Sequence, residues 1–347
     1  MGVEIEKQAI VRLNQGCTLM KGWTVWGKSF LLAILILVFL CWSQGVEAQE
    51  YPTRSITLLI NMSPGGSTDV CARMVAQGAT KILGQEVVPV NRTGGGGAVA
   101  TGILANSKGD GYTLMAGPSP ALTNVPHMET VTYDPLKDII PIIQYGVSRD
   151  AIIVRSDSPY NSLKDLINFA RKNPGKVSCG HAGVGTTLHL VMEYLNLEEN
   201  VNITTIPFQG STPAITALLG GHITAVSAGP SFYPYFKSGK VKVLAANAEE
   251  RIKDVPDVPT LHELGYTNMP TTDLMIIVAP KGTPPAVVEK LEGTFRKVMK
   301  TQEYRNLAEN TFQMYVEDPL STQKLKDIIE KNFSRNGEII RKAKLLK

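Results

Sequence analysis

Ser63-Pro64-Gly65-Gly66-Ser67-Thr68-Asp69 stands between an apolar run, Ile56 to Asn61, and an amphipathic one, Val70 to Leu83, on which Arg73, Gln77 and Lys81 recur every four residues. Strand, Gly-Gly turn, hydroxyls and helix in that order aim free backbone N–H groups and the positive end of a helix dipole into one small space. This is chemistry for holding an anion. Gly66 is expected to be needed both for close backbone approach and for the φ of the turn. Asp69, in the first helical turn, complements the dipole and is spaced to pair with Arg73 one turn on; it leaves room for a bound anion only by facing away. Two further segments repeat the arrangement. Lys176 to Cys179 runs into Gly180-His181-Ala182-Gly183-Val184-Gly185, with Thr186 and Thr187 opening a helix. Ile203 to Pro207 runs into Gln209-Gly210-Ser211-Thr212, with Pro213 suited to a first helical turn.

Other chemistries are less well supplied. Gly95-Gly96-Gly97-Ala98-Val99-Ala100 formally matches G-x-G-x-x-A, so a nucleotide-dependent oxidoreductase is an alternative. No acidic residue follows at the required distance of about 20 residues; Asp110 comes sooner, in an Asp-Gly turn. The run reads instead as a tight turn needing φ > 0, or as a close approach of backbones between lobes. From Gln49 onward there is no G-x-S-x-G nucleophile turn, no Gly-Lys-Ser/Thr phosphate loop, and no CxxC, HExxH or His/Cys cluster with metal-ligand spacing. The scattered histidines read as structural hydrogen-bonders, with His189 pinning a loop. No catalytic residue, cofactor or metal is expected.

The elements that must position these loops alternate along the chain, which argues for an α/β architecture with mainly parallel sheets. After the first strand and helix, Glu86 to Val90 leads through the Gly run into a helix Ala98 to Asn106. Asp110-Gly111 turns into a strand Tyr112 to Ala116. A strand begins near Ala151 to Val154, followed by a helix Ser162 to Lys172 stopped by Asn173-Pro174-Gly175. Later strands are expected at Ile223 to Ser227, Val241 to Ala246 and Leu274 to Ala279, before a helical C-terminus. No linker rich in Ser, Pro or charge separates two contiguous domains, and strands return late. That pattern suits two interleaved lobes with a ligand cleft between them, at the carboxyl ends of the strands.

Residue identities add a resemblance. Tyr51-Pro52, the Ser63–Asp69 stretch with Arg73, Leu83-Gly84-Gln85, Asn91-Arg92 and the Gly run, and Asp110-Gly111-Tyr112-Thr113-Leu114 come first. Tyr133-Asp134-Pro135, His189-Leu190, Leu219-Gly220-Gly221, Pro256-Asp257-Val258-Pro259-Thr260 and Ala279-Pro280-Lys281-Gly282-Thr283-Pro284 follow in order. Together they resemble the substrate-binding receptors of tripartite tricarboxylate transporters, the Bug family, over essentially the whole chain after the leader. The resemblance implies a two-lobed periplasmic binding protein fold, type II-like. Residues 49–149 and 272–347 would form one lobe and 150–271 the other. It implies a monomer that captures a small organic carboxylate and hands it to membrane permease subunits, or a sensor that presents it to a signalling partner. The loops matching Ser63–Asp69 and Ser178–Thr187 would be opposing pincers. The implied ligand-binding residues are Ser63, Gly65, Gly66, Ser67, Thr68, Asp69, Ser119, Ser178, Gly183, Gly185, Thr186, Thr187 and Ser211. The chain departs from the family pattern at Asn61-Met62, Ala228 and Leu274, positions that bear on which ligand is held.

The 347 residues are 43% hydrophobic and 19% charged, ordinary for a globular chain long enough for two lobes. A net charge of +4 without basic clusters interleaved with aromatics makes no nucleic-acid footprint. Lys21 and Lys28 precede an unbroken apolar run, Phe30 to Trp42, and then Val46-Glu47-Ala48. The run is short for a span of ~20 residues but right for the apolar core of a signal peptide cleaved after Ala48; left uncleaved, it would be an anchor. Cys17 and Cys41 depart with that leader, leaving Cys71 and Cys179, expected as two buried thiols. The exported protein should therefore have an intact mass corresponding to a start at Gln49. A mature form that retains Phe30 to Trp42 would contradict the soluble periplasmic reading.

Overall fold

The computed structural model describes residues 50–342 apart from 249, 268 and 270–272. The leader expected over residues 1–48 lies outside the described residues. Among the described residues, ten strands fall into two five-stranded sheets. Along the chain they are β1 (Ile56–Ile60), β2 (Val87–Asn91), β3 (Thr113–Pro118), β4 (Ile139–Val147), β5 (Asp150–Arg155), β6 (Val177–His181), β7 (Ile203–Pro207), β8 (Ala225–Ala228), β9 (Val241–Asn247) and β10 (Leu274–Pro280).

The first sheet runs β2-β1-β3-β10-β4 and the second β7-β6-β8-β5-β9. In each, three strands are parallel, and the fourth in order lies antiparallel to both its neighbours. That antiparallel strand is β10 in one sheet and β5 in the other, each the first strand after the chain changes sheet. The α/β, two-lobed architecture expected from the sequence is therefore present. The chain passes from β4 to β5 through Ser148 and Arg149, and returns from β9 to β10. The two passages lie side by side: the Ser148 N–H donates to the Asp273 carbonyl at 2.8 Å.

Local chemistry explains the elements. Strands covered on both faces read as near-continuous apolar runs, such as Ala151-Ile152-Ile153-Val154, all buried. The helix Leu163–Lys172 turns Leu163, Leu166, Ile167 and Ala170 inward and opens with a capping box between Ser162 and Asp165. The strand β4 was not expected, because Pro141 interrupts its apolar run. It is an edge strand, where a missing N–H is tolerated, and it pairs with β10 through two irregularities. Each sheet has its own core. Leu59, Met115, Tyr133, Ile276 and Leu325 pack on the first. Leu166, Val191 and Leu195 pack on one face of the second, and Ile215, Leu218 and Phe232 on the other.

Cys71 and Cys179 are free and buried, and burial pushes both thiols up to about 12. Neither should react in the folded protein. Ellman's reagent should titrate both thiols of the mature chain only after denaturation; rapid labelling of the native protein would contradict this packing.

Candidate functional site

The loops at the carboxyl ends of β1, β6, β7 and β8 converge on one cavity of about 40 Å³ between the sheets. That is room for about three water centres at ~10–15 Å³ each. The helix Ser67–Leu83 begins three residues earlier than its apolar pattern suggests, so Ser67, Thr68 and Asp69 form its first turn. Its N-cap is Gly66, with no side chain capping the turn. The helix Ser211–Leu219 also starts from a glycine, Gly210, and is also uncapped. The third helix, Thr187–Glu198, is capped by the Thr186 hydroxyl, which accepts from the His189 N–H at 3.3 Å. All three N-termini line the cavity through Gly66, Ser67, Thr68, Thr186, Gly210, Ser211 and Thr212.

The loops touch across the gap. The Ser67 N–H donates to the Ser231 hydroxyl at 2.9 Å, and Ser231 donates to the Ser67 hydroxyl at 3.2 Å. Thr93 donates to Gln209 at 2.6 Å, and the Asn124 amide to Thr187 at 3.2 Å. The left-handed φ expected at Gly66 belongs to Gly65, at +76°; Gly66 is extended at −80°. What Gly66 needs is space, because a Cβ there would stand 3.1 Å from the Thr212 hydroxyl and 3.3 Å from that of Ser231. The Gly94–Gly97 run meets both sequence expectations. All four residues have positive φ, and a Cβ on Gly96 would fall 2.3 Å from the Val184 carbonyl of the opposite loop.

Of the residues inferred from sequence, Ser63, Gly66, Ser67, Thr68, Thr186 and Ser211 line the cavity. The others do different work. Gly65 is exposed and supplies the turn. Asp69 faces away, accepting from the Gly65 N–H at 2.9 Å, Arg73 at 2.9 Å and Asn91 at 2.8 Å. Burial alone would raise its carboxyl, but those bonds outweigh burial and hold it below the usual range. Ser119 accepts from the Leu274 N–H at 3.2 Å, fastening β10. Ser178 sits near the start of β6, paired with Thr224, because the strand continues to His181 before the loop begins. Gly183 and Gly185 pack against Gly96 and Val125 of the facing lobe. Thr187 donates to Asp273 at 2.6 Å. His189 pins the second loop as expected, accepting from the Gly185 N–H at 3.3 Å.

The inferred set omits much of the cavity wall, including the polar residues Ser148, Asp150, Ser231 and Asp273. Ser231 had a signal, because Gly229-Pro230-Ser231 is a fourth strand-end loop with a glycine and a hydroxyl. The two aspartates flank the sheet crossings and belong to no motif. Asp150 is 1% and Asp273 7% exposed. Ser148 donates to Asp150 Oδ1, whereas Asp150 Oδ2 has no hydrogen-bond partner. Among the described residues lining the cavity there is no Lys, Arg or His. Burial raises the Asp150 carboxyl well above the carboxylate range, and the charge of Asp273 raises it further. Burial also raises Asp273, to about 7, against the Thr187 hydroxyl that favours its charged form.

A carboxyl whose folded pKa is raised stabilises the fold below its unfolded pKa, near 3.8, and that stability is lost as pH climbs through the folded value toward 7. His181, lowered to about 4 mainly by burial, works with the opposite sign, destabilising the fold as pH falls from 6.5. Asp273→Asn removes the first effect and leaves the second. Its stability relative to wild type should therefore grow by on the order of 1 kcal/mol per pH unit within this window. Melting curves between pH 5 and pH 8 (a range of about 3 units) check this; a gap that stays constant contradicts it.

Residues 71–345 match the family described as Tripartite tricarboxylate transporter family receptor. The chain is 36% identical over 302 residues to the UPF0065 protein of the gbd 5' region of Cupriavidus necator, covering 87% of this chain and 91% of that one. It is 34% identical to BugT of Bordetella pertussis, over 74% of this chain and 80% of that protein. Among solved structures, the periplasmic binding protein BugD superposes with a TM-score of 0.81 at 29% identity, covering 86% of this chain and all of that one (100%). MatC of Rhodopseudomonas palustris with bound malate superposes at 0.77 and 26% identity, covering 84% of this chain and 100% of that one. The cavity between two lobes, walled by strand-end loops, is thus found in a chain that belongs to the tripartite tricarboxylate transporter receptor family, a family of periplasmic binding proteins rather than enzymes.

Proposed function

We propose that this receptor is exported by its N-terminal leader, closes its lobes on a small organic carboxylate and delivers it, unaltered, to the permease subunits of a tripartite tricarboxylate transporter. Residues 49–149 with 272–347 form one lobe in this reading, and 150–271 the other. The observation that carries it is the meeting of two uncapped helix N-termini, Ser67–Leu83 from one lobe and Ser211–Leu219 from the other, on one cavity. Two positive dipole ends pointed at each other repel, and a carboxylate between them turns that repulsion into attraction. Malate bound to MatC and adipate bound to a second Rhodopseudomonas palustris relative support the ligand class.

The energetics suffice without a reacting group. A hydrogen bond to a charged group contributes about 1.5–3 kcal/mol, and a micromolar affinity needs about 8 kcal/mol. The Ser67–Ser231 and Asn124–Thr187 contacts join the lobes directly, so a ligand needs only to tip an existing equilibrium toward the closed form.

A thermal-shift screen of small organic acids should find stabilisation of ~2.7 kcal/mol at 100 times Kd, with the acid recovered chemically unchanged. Thr68→Val and Ser231→Ala should each weaken binding by about 1–3 kcal/mol. Asp69→Asn, which faces away from the cavity, should lower the melting temperature and leave Kd alone. Unchanged Kd in the first two variants would remove this site assignment, and steady conversion of the acid would overturn the receptor reading.

A further inference from the structure

A pocket for a plain di- or tricarboxylate needs donors or cations at both ends, and this one has them at one end only. Its other end is Asp150 and Asp273, the only ionisable side chains lining the cavity among the described residues. They are brought there by the paired sheet crossings, with Ser148 holding Asp150 Oδ1 and Thr187 holding Asp273 Oδ1. Asp150 Oδ2 is left buried without a partner. A buried carboxylate oxygen with no donor is costly in a fold, and it marks where a donor is wanted.

We infer that the ligand carries a protonated nitrogen at this end, an ammonium group held by Asp150 and Asp273 while its carboxylate meets the helix N-termini. The ligand is then a compact amino carboxylate rather than a di- or tricarboxylate. This rests on the reading of the cavity as a carboxylate site. The two ends lie close together: a Cβ placed on Gly229 would stand 3.4 Å from the Ser211 hydroxyl and 3.7 Å from Asp150 Oδ1. A short chain between carboxylate and nitrogen therefore suits the space.

Charge favours the same choice. Three helix N-termini supply roughly +0.5 each, against the two aspartates at −2 when ionised. A dicarboxylate brings the cavity to roughly −2.5, a monocarboxylate to roughly −1.5 and a zwitterion to roughly −0.5 on that count. The zwitterion also fills both ends with partners of opposite charge, which a simple amine does not. Burial holds both aspartates above the usual carboxylate range, and the charge of Asp273 raises Asp150 further, so an ammonium there relieves a standing penalty.

The test uses matched acids that differ by one amino group: propionate with β-alanine, butyrate with 4-aminobutyrate, and succinate with aspartate, with n-butylamine as a carboxylate-free control. In wild-type protein, calorimetry should show the amino member of at least one pair binding about tenfold tighter or more. Asp150→Asn should erase that preference by weakening the amino member about tenfold or more. If the amine-free member binds as well or better in every pair, the aspartates act as protonated donors to a ligand oxygen; the inference then falls and the carboxylate receptor stands. Binding of n-butylamine with no response to any carboxylate would instead sink the function on which the inference rests. Silence from every compound overturns both. Should Asp150→Asn fail to fold, the wild-type pairs decide alone.

Discussion

Two passages of the chain between the sheets, side by side and joined by the Ser148 N–H to Asp273 carbonyl bond, are the constraint on which this molecule turns. They carry the chain from β4 to β5 and from β9 to β10, so in the proposed closing motion the lobes would pivot there. They also put Asp150 and Asp273 into a cavity lined by no cation among the described residues. Buried carboxylates without counter-charge are expensive. The partial positive charges of three helix N-termini offset part of that cost, as do the hydroxyls of Ser148 and Thr187. Hinge, charge and site are therefore one feature.

Closure on such a site demands surfaces that meet without side chains in the way. Gly66 against Thr212 and Ser231, Gly96 against Val184, and Gly210 against Ser63 are contacts at which even a Cβ would be crowded or would clash. Separate cores would let the lobes part again in the proposed cycle. Leu59, Met115 and Ile276 belong to one sheet, and Val191, Leu195 and Phe232 to the other. In the proposed cycle, opening would break polar contacts and the small Met128–Leu190–Ile340 cluster between the lobes while leaving both main cores intact.

Much of the fold was legible because strands buried on two faces and helices with one apolar stripe leave distinct periods. The strand β4 was not, since a proline in an apolar run argues against a central strand and says nothing about an edge. Loops at strand ends were legible from glycine and hydroxyl together. The errors inside them have physical causes. Ser178 falls inside β6, because the strand extends to His181 before the loop begins. Thr187, expected at the ligand, donates its hydroxyl to the buried Asp273, a partner no local spacing announces. Asp150 and Asp273 escaped notice because no spacing links them: 123 residues apart by their numbers in the chain, they meet only through the topology of two sheets.

The most direct test is a crystal structure of the receptor with the ligand it retains from its own cells. The account predicts one small molecule bridging the lobes. Its carboxylate should lie against the first turn of the helix Ser67–Leu83, and its nitrogen should lie within hydrogen-bond distance of Asp150 Oδ2, about 2.7–3.2 Å. A ligand with no nitrogen at that end, or one seated away from these two aspartates, would contradict it.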